Sequence, residues 1–261
     1  RNRRYASHRL SHPHPFHVNS QPTTWQIIAA NLPEHARNPI HTDDGARAAG
    51  FPRALVAGVT TYAYLTHPLI VAWGRDWLQH GGGEVRFRRP VFDGDLLRCT
   101  PVTNSDEIAI HAVTDEPEQP RVIFQTQRQS VPLIALRIGE KLPDITIALN
   151  GEWGCDYGNR AGDDLSFYTD ENLVHPAVWP ALANQVVYQH VARGSWIHTR
   201  SIIRHHGVAH GGDIATMKSV VVRRFESHGE RAILDVHIEV AGKVVASLEH
   251  EAIVALPEST D

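Results

Sequence analysis

Residues 36–58 read Ala36-Arg37-Asn38-Pro39-Ile40-His41-Thr42-Asp43-Asp44-Gly45-Ala46-Arg47-Ala48-Ala49-Gly50-Phe51-Pro52-Arg53-Ala54-Leu55-Val56-Ala57-Gly58. This stretch holds a polar turn ending in a histidine, a short Ala-rich segment, a Gly/Pro break and the start of an apolar run. Asn tolerates unusual backbone angles and Pro fixes φ, so Asn38-Pro39 is a turn former. That pins His41 just past a tight bend. A histidine held beside the start of a buried helix can do acid–base work near neutral pH. The helix start also offers free backbone N–H groups to a developing oxyanion.

Downstream, Leu55–Trp77 is predicted to be a helix. Val59, Tyr62, Ala63, Leu65, Leu69, Ile70 and Trp73 recur at helical spacing with almost no charge between them. A helix apolar most of the way round is a buried one. Pro68 is expected to end or kink it, and Gly81-Gly82-Gly83 breaks the chain. Upstream, Trp25–Leu32 fits a short helix or a strand end equally well. After the glycines the period changes to two. Glu84–Val91, Leu96–Thr103, Ile108–Thr114 and Arg121–Val131 read as a strand meander with a turn at Asp93-Gly94.

The second half repeats this order. An apolar stretch runs from Leu173 to Val191. Strand-like segments follow at 197–208, 216–225, 231–240 and 244–256. Leu55-Val56 and Leu173-Val174 lie in the same register as Gly94-Asp95 and Gly212-Asp213. An internal repeat of this kind changes the fold expectation more than any single motif. Residues 132–166 are left as a linker plus the first strand of the second repeat, with Asn150–Asp164 expected to be a surface loop.

The 36–58 stretch resembles the MaoC-like hydratase/dehydratase family of hot-dog folds, where that family carries Gly-Asp-x-Asn-Pro-x-His. Asn38, Pro39 and His41 match. Ala36 stands at the family's catalytic aspartate and His35 at the preceding glycine. The run Gly83–Asp95 looks like the family's strand and turn after the helix. The resemblance implies an α+β double hot-dog: two repeats, 1–133 and 134–261, each an antiparallel sheet wrapped around a central apolar helix. It implies water addition or removal at a 2-enoyl or 3-hydroxyacyl thioester, most simply CoA-linked. It implies no cofactor and no metal, since only protons and water move. His41 is then the base, the Gly58 amide an oxyanion donor, and Asn38 and Arg88 substrate-binding residues. Arg86, Arg88 and Arg89 offer positive charge to the phosphates of a CoA carrier, or form a solvated strand face. The expected partners are the acyl thioester and, for assembly, a homodimer or a self-sufficient pseudo-dimer.

Three readings of the chemistry stand side by side. His41 works with a replacement acid among Glu34, Asp43 and Asp44, the last two being natural first-turn residues of a helix. Alternatively Asp170 and His175, which share the family's Asp-to-His spacing around Asn172, form the catalytic pair. In the third, the protein binds or hydrolyses acyl thioesters without hydrating them.

Bulk properties narrow the remaining classes. The chain has 261 residues, 42% hydrophobic and 21% charged, with net charge −4 and pI near 6.5. That balance gives no support to nucleic-acid binding. No apolar run reaches the roughly 20 residues that cross a bilayer. Arg1–Val18 is basic and His-rich without an apolar core, which is unlike a secretory signal; the first residue is not Met, as a trimmed start would leave it. Two cysteines, Cys99 and Cys155, fit a reduced, cytoplasmic protein. His8, His12, His14 and His17 cluster in the N-terminal arm, and His205, His206 and His210 cluster later. Neither group has carboxylates or cysteines at metal-ligand spacing.

Overall fold

The computed structural model describes residues 20–104 and 107–257. The N-terminal histidine cluster lies outside the described residues. Strand β1 (Trp25–Ile28) leads through two 3-10 turns and helix α1 (Asp43–Ala48) into the long helix α2 (Gly58–His80). Strands β2 (Gly82–Phe87), β3 (Leu96–Asn104), β4 (Glu107–Val113) and β5 (Val122–Gln127) follow. The second half holds β6 (Glu140–Lys141), β7 (Ile145–Ala148), α3 (Tyr157–Ala161), α4 (Phe167–Asp170) and α5 (Val178–His190). Then come β8 (Ile197–His205), β9 (Ile214–Glu226), β10 (Glu230–Val240) and β11 (Lys243–Ala255).

The strands form one antiparallel sheet ordered β1-β3-β4-β5-β2-β8-β11-β10-β9, with β6 and β7 both pairing to β9. Each half runs outward from a central strand, β2 or β8, in the same sequence of partners. The repeat register survives in the hydrogen bonds. Val56 N–H donates to Val91 O at 2.8 Å, and Val174 N–H to Ala209 O at 2.9 Å. Leu55 bridges Phe92, and Leu173 bridges His210. Gly94 and Gly212 both turn at positive φ. This is the double hot-dog architecture, with α2 and α5 as the two wrapped rods.

Burial explains why α2 is helical despite its β-branched and aromatic content. Seventeen of its residues are buried, including Tyr62, Leu65, Leu69, Ile70 and Trp77. Its packing overrides the expected break at Pro68: the helix continues through that residue, and Tyr64 O simply loses its i+4 donor. The irregularity falls instead at Gly74, with φ 53°.

The two halves join where β2 pairs β8. Gly82 and Gly83 belong to β2 rather than to a break. A Cβ on Gly82 would stand 2.1 Å from Ile203 O, and one on Gly83 2.2 Å from Gln125 O. Gly82 is therefore required at the seam with β8, and Gly83 against β5 on the other side of the same strand. Asn150–Asp164 is not a surface loop. It contains α3, and Tyr157, Gly158, Ala161 and Asp163 are buried.

Candidate functional site

The Asn-Pro turn is built by local hydrogen bonds. Pro39–His41 forms a single 3-10 turn. Thr42 caps α1 by accepting Gly45 N–H, and Asp43 and Asp44 occupy the first turn, paired with Arg47. Leu55 N–H donates to Ile40 O at 3.0 Å, so the turn lies alongside the residues entering α2. Asn31 secures the same place. Its amide donates to Leu55 O at 2.7 Å and its Oδ1 accepts Ala57 N–H at 3.0 Å. Asn38 ties the turn to the other repeat, donating from Nδ2 to Trp196 O at 2.8 Å.

Two adjoining cavities open at this turn and share Asn38, His41, Asn184 and Trp196 as a common wall. The smaller, about 60 Å³, also touches Glu34, His35, Val59 and Tyr157. The larger, about 250 Å³, runs past Gly58, Phe87 and His198 to Arg88, Arg89 and Arg231. The start of α2 reaches both, and no side chain caps it. Its first N–H groups are the kind of donor that meets a developing negative oxygen.

His41 has a defined protonation state. Its Nδ1 lies 2.8 Å from Leu55 O, a carbonyl that only accepts, so Nδ1 carries the hydrogen and Nε2 is bare. Burial lowers its pKa to about 4, against a smaller opposing effect of the Leu55 carbonyl. The ring is therefore neutral at pH 7, and the Nε2 lone pair is available to a hydrogen-bond donor. Beside it, Asn38 Oδ1 is buried and has no hydrogen-bond partner. An unpaired buried acceptor in a cavity wall is a place for a water or ligand hydrogen.

His35 brings a second imidazole to the cavity, its ring centre 5.9 Å from that of His41. Burial, then the neighbouring His41, Arg37 and Arg160, lower its pKa to about 3.

None of the proposed replacement acids is free at His41. Glu34 lines the smaller cavity but is ion-paired with Arg160. Asp43 accepts Ala54 N–H and pairs with Arg47. Ala36 is exposed.

The spacing of Asp170 and His175 does not bring them together. Asp170 ends the short α4 and accepts Ser166 Oγ–H at 2.6 Å. The chain then reverses through Asn172 at φ 52°, and Asn172 donates to Gly211 O. His175 faces Asp163 instead, 3.5 Å from its Nε2, and its Nδ1 accepts Ala177 N–H at 3.1 Å. Both ring nitrogens are engaged and the residue is fully buried. His67 completes the cluster, donating from Nδ1 to Asp163 at 2.9 Å. Burial alone would raise the Asp163 pKa; the hydrogen bonds of His175 and His67 outweigh it and hold the carboxyl well below the usual range. The exposed Asp164 lies near enough for His67, Asp163 and Asp164 to be compared with a metal site. The Asp163 oxygens, however, are already taken by His67, His175 and Leu165 N–H.

Of the three strand arginines, Arg86 pairs with Glu84 and Arg89 with Glu116. Arg88 is exposed at the larger cavity and, among the described residues, has no acidic partner within salt-bridge distance. His205 is buried and bonded to Trp77 O, away from His210, which faces Asp213. Cys99 and Cys155 are free thiols. Among the described residues no helix is long and apolar enough to cross a membrane.

The sequence reading missed Asn184, Trp196 and His198 of the cavity wall, and Asn31, which holds the entry to α2. In the structure the buried residues of this strand include 198 and 201, three apart, a break in the period of two that the sequence does not mark.

Residues 29–115 match the family model described as MaoC like domain. A MaoC domain protein from Chloroflexus aurantiacus J-10-fl superposes with TM-score 0.59 at 12% identity, covering 90% of this chain and 96% of that one. A conserved hypothetical protein from Mycobacterium tuberculosis, described as having a double hotdog fold, gives 0.60 at 12% identity, with 90% and 96% covered. A Lactobacillus plantarum protein described as an oleoyl thioesterase gives 0.51 at 9% identity, with 92% and 99% covered. No curated protein sequence matches the chain.

Proposed function

We propose, from the premise that residues 29–115 form a MaoC-like domain within a double hot-dog fold, that the protein adds or removes water at a 2-enoyl or 3-hydroxyacyl thioester. The observation that carries this reading is the neutral His41. Its Nδ1–H is fixed on Leu55 O and its Nε2 is bare, beside the orphan Oδ1 of Asn38 and the uncapped start of α2.

In the hydration direction a water donates one hydrogen to Asn38 Oδ1 and the other to His41 Nε2. His41 takes the proton as the oxygen bonds to C3. The C2=C3 pair moves onto the thioester, whose oxygen rests on N–H groups at the start of α2. Gly58 suits this place because nothing projects from its backbone toward the ligand. C2 then takes the proton from His41 Nε2, which returns the ring to its neutral form. In this reading Asn38 supplies the second acceptor that the family's aspartate would give, though it cannot itself hold a proton. Arg88 meets the phosphates of a CoA carrier. We divide the chain at 133/134, and one copy supplies every residue named here. We place the protein in the cytoplasm.

A second reading, thioester hydrolysis, draws on Ala36: without the aspartate, the same water faces a carbonyl held at α2. Absorbance at the enoyl band of crotonyl-CoA and release of free thiol separate the two. Loss of crotonyl-CoA hydration in His41→Ala, with retention in Asp170→Ala, is expected. Thiol release without hydration in the unmodified protein would select the hydrolytic reading.

A further inference from the structure

The larger cavity has a second polar wall that the proposed steps leave idle. His198 lies on β8 beside Gly58; a Cβ on Gly58 would stand 3.2 Å from its Nδ1. His198 is buried, and Nδ1 has no hydrogen-bond partner. Its Nε2 lies 2.8 Å from Ser201 Oγ, which lies 2.8 Å from His250 Nδ1. His250 Nε2 lies 3.1 Å from Asn184 Oδ1, on α5 in the wall shared by both cavities.

The strand is deformed to make this chain. Residues 198 and 201 would ordinarily face opposite sides of a sheet. Between β8 and β11 the register shifts: Glu251 pairs Arg200 but Ala252 pairs His198. Thr199 is the extra residue of a β-bulge, which turns His198 onto the core face with Ser201. Bulges of this kind re-aim side chains next to functional sites.

The hydrogens of the relay follow from its end. Asn184 Oδ1 only accepts, so His250 Nε2 carries a hydrogen and its Nδ1 accepts Ser201 O–H. Ser201 then accepts His198 Nε2–H, leaving His198 Nδ1 bare. Turning the Asn184 amide over reverses every link. Asn184 N–H then donates to His250 Nε2, His250 Nδ1–H to Ser201, and Ser201 O–H to His198 Nε2, which leaves a hydrogen on His198 Nδ1. In the exchange one proton enters at His198 Nδ1 and one leaves at His250 Nε2 past Asn184, which lines both cavities, so no net charge is buried.

Resting on the thioester site proposed above, we propose that His198 is a second oxyanion donor, and that the Ser201–His250–Asn184 relay lets its neutral ring turn from acceptor to donor when an acyl thioester carbonyl arrives beside Gly58. Ser201 is fully buried between two imidazoles and is a positioning residue, as is His250.

The test uses the full chain labelled with 15N-histidine and titrated with butyryl-CoA, a saturated thioester that cannot be hydrated. Without ligand, the hydrogen of His198 is expected on Nε2. With butyryl-CoA it is expected to move to Nδ1, and the His250 hydrogen to Nδ1 with it. Ser201→Ala is expected to abolish that movement while butyryl-CoA still binds. For crotonyl-CoA, His198→Leu is expected to lower kcat about 10²–10³-fold with little change in KM, the usual loss of one oxyanion donor. His198→Gln, which keeps an N–H, is expected to recover part of it. Butyryl-CoA binding with an unmoved His198 hydrogen overturns the proposal and leaves the thioester reading standing. Absence of butyryl-CoA binding overturns both. The unmodified protein gives the decisive signal, so poor folding of a variant does not protect the idea.

Discussion

If His41 is the base, the acid limb of its rate profile lies far below that of an ordinary histidine. Its pKa is lowered to about 4 by burial. At pH 5.5 an unperturbed imidazole of pKa about 6.5 is bare in only about 9% of molecules, whereas one of pKa about 4 is bare in about 97%. The two cases differ roughly tenfold in kcat/KM, which reports the free enzyme. Stability moves in the same pH range and must be separated from this. His41, His205 and His250 all have folded-state pKa values lowered by burial, to about 4, 4 and 3. A group whose folded pKa lies below its unfolded value contributes stability fully above about pH 6.5. That stability is lost as pH falls from there toward the folded value. Each group then costs roughly 1–2 kcal/mol at pH 5.5, a large share of a typical fold when several act together. The assay is therefore a stopped-flow jump from pH 7.5 to 5.5 with crotonyl-CoA, read within seconds, before unfolding competes. Near-full activity in the first seconds, decaying later with loss of the near-ultraviolet circular dichroism signal, is the expected result. An immediate tenfold drop with the fold intact would refute the assignment of a buried, bare Nε2 as the working base.

Three further outcomes follow from the same geometry. His175→Ala leaves the buried Asp163 with one imidazole fewer and should lower urea-unfolding stability by about 3–5 kcal/mol, while exposed Asp170→Ala should stay within about 0.5 kcal/mol; a selective loss of turnover in either, with stability unchanged, would restore that pair as a candidate. Arg88→Glu should raise KM for crotonyl-CoA about tenfold through repulsion at the cavity mouth, and leave KM for crotonyl-pantetheine, which lacks the nucleotide phosphates, unaltered. Gly82→Ala should lower the melting temperature by several degrees, since its Cβ would stand 2.1 Å from Ile203 O at the seam of the two halves; an unchanged melt would mean that the β2–β8 seam has slack.

Much of this was legible because it depends on pattern. The alternation through Val85 and Phe87 and the unbroken apolar run from Val59 to Trp77 each specify burial by period alone. The shared register of Leu55-Val56 and Leu173-Val174 anticipated paired backbone bonds. Asn38-Pro39 located the turn that presents His41. Pro68 misled because propensity is local and the burial that overrides it is not. Asp170 and His175 misled because spacing measures distance along the chain, and the reversal at Asn172 sends the two side chains apart. His198 stayed hidden because a bulge of one residue changes the facing of a side chain without any distinctive composition. Its partners Ser201, His250 and Asn184 come from three separate elements, and no linear motif joins them.

The two rods of the fold begin in the same way and have been put to different uses. In the repeat register Ala57 corresponds to His175. At α5, His175 accepts Ala177 N–H and is bound to Asp163, while Tyr157 and Tyr168 pack at a tilt against its ring, so that end of the fold is filled and tied. At α2 the corresponding residue is an alanine, followed by a glycine with no cap, and space opens there. The second repeat nevertheless reaches the open end through Trp196, which holds Asn38, and through His198 and Asn184 in the cavity wall. One helix tip is thus closed by a hydrogen-bonded cluster of two histidines on Asp163, and the other is completed from across the seam. A duplicated fold with two equal tips would favour two weak sites. Filling one tip and lending its strand and helix residues to the other concentrates the donors and acceptors around the cavities at a single tip.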